Sequence, residues 1–391
     1  MFGALHGIRV IDLTQQLGGP FCGMTMADHG ADVIKVEPPK GEDLRRVPPL
    51  LEGESVPYMM WNRNKRSMTL DLKNPDDKGT LLELLATADV FMESTRPGVM
   101  QRLGLDWETL KDRYPRLIMA SVSGYGQTGP HAKHGGFDVM AQGMSGLMSI
   151  NGPVDGPPHR LPIPICDLAA GMFLSIGVLL ALQARHRTGR GQYVETSLLE
   201  GATALQVYEA GHYFTHGTNP PRMGQGHRGV APYQVLPSAD GFVTIGAGQQ
   251  HFFEAFCVLG DLTELITDPR FSTVHDRVAN TDALIEIVSV ATRTHSTDWW
   301  IEELEKLGVP CGPVFNHEQL FNHPQILHRR MVETVQHPTV GEVKTLGIPV
   351  KLSGTPGSVR CAAPTLNQHA DEIRSELRAA RGAATTIDKE T

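Results

Sequence analysis

The feature that most constrains the fold is a regular alternation in the first third of the chain. The β-rich apolar runs are "GIRVIDLT" (7–14), "ADVIKVE" (31–37), "SMTLDL" (67–72), "ADVFMES" (88–94) and "RLIMASVSG" (116–124). Between them lie helical stretches: one from Pro20 to about His29, another "PDDKGTLLELLATA" with Pro75 at its first turn. Strands that alternate with helices form βαβ units, so an α/β fold with a doubly wound, largely parallel sheet is expected. Such sheets bind ligands beyond the carboxyl ends of their strands. Here those ends read "TQQLGGP", "EPPKGEDLRR", "DLKNP", "ESTRPG" and "SVSGYGQTG". Lys35, Lys40, Arg45, Arg46, Arg63, Lys65, Arg66, Lys73, Arg96 and Arg102 crowd the same part of the chain. Solvation explains each cation singly. Gathered at one kind of loop, with glycines and free N–H groups, they suit a polyphosphorylated ligand.

A dinucleotide is one candidate, with Glu37 standing where a ribose-binding acid would. The first turn, however, reads Gly18-Gly19-Pro20-Phe21-Cys22-Gly23 rather than G-x-G-x-x-G, and no G-x-x-x-x-G-K-[ST] occurs, which weighs against NAD and ATP. A net charge of −8 argues against nucleic-acid binding. The five cysteines are scattered and form no C-x-x-C pair, so no disulfide framework or cysteine zinc site is indicated and a reducing cytoplasm fits. His131 and His134 can share a helical face, but with no acid in register no metal is expected. No secretory signal is visible. The longest apolar run, Ala169–Leu182, is interrupted by Gly171, Ser175 and Gly177 and reads as too short for a bilayer, so no membrane partner is expected.

The expected layout is a large α/β domain over 1–210, a Gly/Pro/His/Arg-rich linker over 211–232, a smaller α+β domain over 233–325, and a return segment over 326–391 whose tail frays after Arg381. The smaller domain opens on a hairpin turned at Ala239-Asp240-Gly241. Helices near 251–259, 275–293 and 297–307 follow.

One acid stands out. In "PIPICDLAAGMFLSIG" (162–177), Asp167 precedes a long apolar helix. Asp is a favoured N-cap, which gives it a purely structural role. A carboxylate held by a helix dipole and free N–H groups would also stay ionised and serve as a nucleophile toward a thioester. Both readings stand at this point. Cys166 has no histidine placed to activate it and reads as a buried, inert thiol. There is no G-x-S-x-G elbow.

Several long segments in order resemble the class III CoA-transferases, of the formyl-CoA transferase and carnitine/bile-acid-inducible type. They are "GADVIKVEPPKGEDLRR", "NRNKRSMTLDLKNP", "GVMQRLGLDWETL", "SVSGYGQTGP" and "DLAAGMFLSIGVLLALQARHRTGRGQ". The resemblance implies a doubly wound large domain, a small domain and an interlocked homodimer. It also implies that Asp167 is the nucleophile of an acyl-CoA:carboxylate CoA-transfer, through aspartyl anhydride and aspartyl-CoA thioester intermediates. Coenzyme A is then a substrate and no permanent cofactor is expected. By the same resemblance CoA would be held by Leu17, Gly18, Leu70, Asp71, Leu72, Lys73, Ser94, Thr95, Arg96, Arg102, Ser123, Gly124, Tyr125 and Gly126. A glycine-rich loop over Gly246, Ala247, Gly248 and Gln249 would shield the intermediates. Two departures from the formyl-CoA enzymes point to other acids: Leu17 stands where they have glutamine, and Ala247 interrupts the loop. The 2-methylacyl-CoA racemases share the fold but use a Gly-His-Asp histidine, where this chain has Phe137. A non-catalytic CoA- or dinucleotide-binding protein is the remaining alternative.

Overall fold

The computed structural model describes residues 2–387, with side chains through Gly382. The chain divides into two compact units, Met1–Leu147 with Arg160–His216 and Pro324–Thr391, and Met148–His159 with Gly217–His323. These boundaries differ from the expected ones. Residues 148–159 group with the second unit, and the supposed linker begins inside a helix, Val207–His216. The C-terminal helix runs from Ala370 to Ile387, past the point where fraying is expected, and residues 388–391 lie outside the described residues.

The first unit is built on six parallel strands: β1 (Arg9–Asp12), β2 (Asp32–Glu37), β3 (Arg66–Thr69), β4 (Val90–Glu93), β5 (Ile118–Ser123) and β6 (Tyr193–Ser197). Their spatial order is β3-β2-β1-β4-β5-β6, with β1 between β2 and β4. The direction of winding reverses at β1, so the loops after β1 and β4 diverge and open a crevice. Strand residues alternate between two cores. Val10, Val33, Val90, Ile118 and Ala120 pack on one face with Met26, Leu174 and Val178. Ile11, Ile34, Val36, Phe91 and Met119 pack on the other with Leu81, Leu85, Ile373 and Leu377. Both faces are therefore covered, and the return segment supplies the last helix of the second layer.

Helix α1 (Gly18–Asp28) follows β1, and α2 (Pro75–Ala86) follows β3, capped by the Asn74 side chain. Helices α3 (Asp138–Met144), α4 (Ile165–Thr188) and α5 (Leu198–Ala204) complete the layer beside α1. Helices α1 and α4 meet closely because two glycines face each other there: a Cβ on Gly171 would stand 2.6 Å from the Gly18 carbonyl oxygen. Helix α4 has 24 residues and an 18-residue stretch of mean hydropathy 2.2, long and apolar enough by composition to cross a membrane. Half of that stretch is buried inside the chain, as the strip Ala170, Leu174 and Val178 requires. On its other side Met172, Phe173, Ile176, Leu179 and Leu180 are exposed.

The second unit carries a three-stranded antiparallel sheet in which Tyr233–Pro237 and Phe242–Gly246 form the expected hairpin and Cys311–Pro313 pairs with the latter. Its core joins Leu236, Val243 and Ile245 to Phe253, Phe256 and Trp300. The helix expected over 275–293 is two helices, Val274–Ala279 and Thr281–Thr292. At the break Asn280 leaves the helical region with φ −118°, and its side-chain amide joins its own backbone N–H on the Asp276 carbonyl, at 2.9 and 3.0 Å.

Candidate active site

A cavity of about 650 Å³ lies at the switch point, lined among others by Gln15–Gly19 after β1, Ser94–Pro97 after β4, Val122–Gly124 at the end of β5, and Asp167. A second cavity of about 500 Å³ shares Gln15 and Thr95 with it and continues over Leu70–Lys73, Glu37 and Arg102. The residues implicated by resemblance therefore fall into two connected groups. Leu17, Gly18, Ser94, Thr95, Arg96, Ser123 and Gly124 line the first cavity with Asp167. Leu70, Asp71, Leu72, Lys73, Arg102 and again Thr95 line the second. Tyr125 and Gly126 line neither: Gly126 turns back with φ +92°, donating its N–H to Ser123 Oγ at 3.0 Å, and Tyr125 tilts against His131.

The walls are held from below. The Glu93 carboxylate accepts from the Thr95 N–H at 2.8 Å and from Ser121 Oγ, which ties the Ser94–Arg96 loop to β5. The loop after β1 sits on buried charge. Asp12 accepts from the Thr14 N–H and from Lys65 Nζ, both at 2.9 Å. Lys35 Nζ donates to the Thr14 carbonyl at 2.9 Å and pairs with Glu42 at 2.7 Å, and Glu42 accepts from the Gln16 N–H at 2.8 Å. Gln16 holds a left-handed φ of 67° there. These fully desolvated pairs fix the floor of the site.

Most of the cations that sequence reading assigned to a ligand are thus spent internally. Lys35 and Lys65 are in the floor, Arg63 is paired with Asp28 at 2.7 Å, and Arg66 with Asp32 and Glu376. Arg45 grips Glu37 with two bonds, 2.8 and 2.7 Å. That bidentate pair also removes Glu37, buried and accepting from the Glu42 N–H at 3.1 Å, as a free ribose acceptor. Lys40, Lys73, Arg96 and Arg102 remain exposed, and their side chains have no hydrogen-bond or ion-pair partner among the described residues.

Asp167 is not an N-cap. Helix α4 starts at Ile165 with Pro164 at the cap, so Asp167 stands within the first turn. Its capping role is taken by Asp138 of α3, whose Oδ1 accepts the Cys166 N–H at 2.9 Å while Oδ2 accepts from Gln142 Nε2 at 2.6 Å. Burial first, then the neighbouring Asp138 charge, push the Asp167 carboxyl from 3.8 up to about 6, against the pull of the Gly18 N–H. Helix-terminus donors alone would lower it; here desolvation outweighs them. At pH 7 the group is still roughly nine-tenths ionised. Burial, with Asp138 next, also raises the Cys166 thiol to about 12, so it is not a thiolate near neutral pH.

Phe137, Asp138, Val139, His134 and Arg160 also line the Asp167 cavity. Sequence reading passed over Asp138 and Arg160. The only local signal for Asp138 is an acid opening a short helix, and Arg160 offers none. Gly124 and Gly136 let the loop after β5 approach this segment, since a Cβ on either would lie 2.7 Å from the other's Cα. Gly246, Ala247, Gly248 and Gln249 belong to the second unit. Ala247 is buried in its core, and the Gly248 carbonyl accepts from Arg277 at 3.0 Å.

Residues 5–370 match the family model for CoA-transferase family III. Succinyl-CoA:glutarate CoA-transferase from Homo sapiens is 37% identical over 375 residues, covering 95% of this chain and 86% of that protein. Acetyl-CoA:oxalate CoA-transferase from Acetobacter aceti is 39% identical over 380 residues, covering 96% of each. A CAIB/BAIF family protein from Brucella suis superposes with a TM-score of 0.87 at 36% identity, over 96% of this chain and 100% of that one. With a doubly wound sheet, a crevice at its switch point and an acid at the head of α4, the chain belongs to CoA-transferase family III.

Proposed function

We propose that the protein moves CoA from an acyl-CoA donor to a free carboxylic acid with Asp167 as covalent nucleophile. The observation that carries this reading is the Asp167 carboxylate itself: desolvated, more basic than a free aspartate, freed from capping by Asp138, and lining a cavity that continues into a second one bordered by Lys73 and Arg102. A carboxylate oxygen attacks the donor thioester carbonyl, the C–S bond breaks, and CoA leaves as thiolate from an acyl-aspartyl anhydride. The thiolate attacks the aspartyl carbonyl, releasing the donor acid and leaving an aspartyl-CoA thioester. The acceptor carboxylate displaces the thiolate to form a second anhydride. Thiolate attack on its acyl carbon then gives the new acyl-CoA and restores Asp167. No proton or electron is gained or lost overall.

Glutarate and oxalate, named in the two relatives, are dicarboxylic acids, which supports a dicarboxylate as one substrate here. We also infer that two copies pair through the exposed apolar side of α4 and that the protein works in the cytoplasm. Exposed Met172, Ile176, Leu179 and Leu180 support the first inference, and five unpaired cysteines the second.

The test of the nucleophile is hydroxylamine trapping. Incubation with an acyl-CoA and hydroxylamine should convert Asp167 to its hydroxamate, read by peptide mass spectrometry. An unmodified Asp167 during acyl-CoA turnover, or full transfer by Asp167→Asn, would exclude it.

A further inference from the structure

We infer that Arg160 binds the far carboxylate of a dicarboxylic acyl group seated on Asp167; this rests on the transfer chemistry proposed above. Besides Leu44, Trp61, Ala132, His134, Leu198 and Asp167 itself, the lining of the Asp167 cavity falls into two groups. The strand-end loops share Gln15 and Thr95 with the second cavity and so form the side along which CoA enters. The segments Gly135–Val139 and Arg160–Pro164 share nothing with that second cavity. They form the side left to the acyl group.

On that side the chemistry is lopsided. Phe137 and Val139 offer exposed apolar surface suited to a short methylene chain. Asp138 is engaged with Cys166 and Gln142, and His134 has its Nδ1 2.9 Å from that of His131. Arg160 is the remaining permanent charge of these two segments, while Arg96 of the strand-end loop reaches the same cavity beside Gly135. Arg160 is exposed, and its guanidinium has no hydrogen-bond or ion-pair partner among the described residues, whereas Arg45, Arg63 and Arg66 are all paired.

Its backbone is held in place. The next residue, Leu161, donates its N–H to Oε1 of the fully buried Gln142 at 2.8 Å. The Gln142 amide in turn reaches the Leu161 and Ile163 carbonyls at 3.3 and 3.4 Å. Pro162 and Pro164 restrict the same stretch. A planar cation on a stiff base beside an apolar wall is the complement of a carboxylate at the end of a short chain. Donor and acceptor acyl groups occupy Asp167 in turn, so one arginine reads both.

The experiment compares wild type with Arg160→Gln and Arg160→Lys on glutarate and on pentanoate, which has the same chain length and one carboxylate. Turnover is followed as kcat/KM, and binding of each acid and of CoA by calorimetry. Arg160→Gln should lower kcat/KM for glutarate about 10- to 100-fold and leave pentanoate within about twofold, with CoA affinity unchanged and part of the loss restored by Lys. Equal losses on the two acids, a loss of CoA affinity, or no change at all would overturn the assignment. Glutarate binding that depends on Arg160 without any CoA transfer would keep this inference and remove the transferase reading. Transfer that continues with no preference for the dicarboxylate would do the opposite.

Discussion

Replacing Asp167 by Asn should abolish transfer and at the same time make the protein more stable. The carboxyl is raised from 3.8 to about 6 by burial and by Asp138, so its ionised form is disfavoured in the folded state. A rise from 3.8 to about 6 corresponds to about 3 kcal/mol, and because Asp167 is partly exposed, solvent screening brings the cost nearer about 1–2 kcal/mol. The sign follows from proton binding. Between its ordinary pKa and about 6, the folded chain holds a proton that the unfolded chain has released, so stability falls as pH rises through that window. Asn keeps the size and an oxygen for the Gly18 N–H but does not ionise. The variant should therefore melt higher at pH 8, by roughly 1–3 °C for a chain of this size, and about half of that gain should remain at pH 5. Scanning calorimetry at matched protein concentration measures it. An Asn variant that melts below wild type, or a gain equal at pH 5 and pH 8, would refute the reasoning and return Asp167 to a structural role.

Asp138→Asn should move the acid limb of the kcat/KM profile to lower pH by up to about 1 unit, because one of the two causes raising Asp167 is removed. A limb that stays in place would take Asp138 out of the electrostatics whatever happens to the height of the profile. Lys73→Ala and Arg102→Ala should each weaken CoA binding roughly 3- to 10-fold, as expected for exposed cations on phosphate, while NADH fails to compete. Saturable NADH binding would favour the dinucleotide alternative. With Phe137 where a racemase has its second acid–base group, a 2-methylacyl-CoA incubated in deuterated water should show no α-proton exchange by mass spectrometry. Rapid uptake without an acceptor acid would favour the racemase.

Period and punctuation were enough to read the strand–helix alternation, because each βαβ unit is specified by a few neighbouring residues. They also located the strand-end loops and the acid at the head of α4. What the local pattern cannot carry is pairing between distant segments. Lys65 looks like any surface lysine until β1 brings Asp12 to it across 53 positions, and Arg63 until α1 supplies Asp28 across 35. The same holds for Asp167. An acid before an apolar helix reads as a cap; only the fold delivers Asp138 to the Cys166 N–H, 28 positions away, and so releases Asp167 into the cavity. Burial and that second carboxylate, rather than the helix terminus, then decide the direction of its pKa. Charge is written in the sequence, but its solvation is set by whatever the chain folds against it.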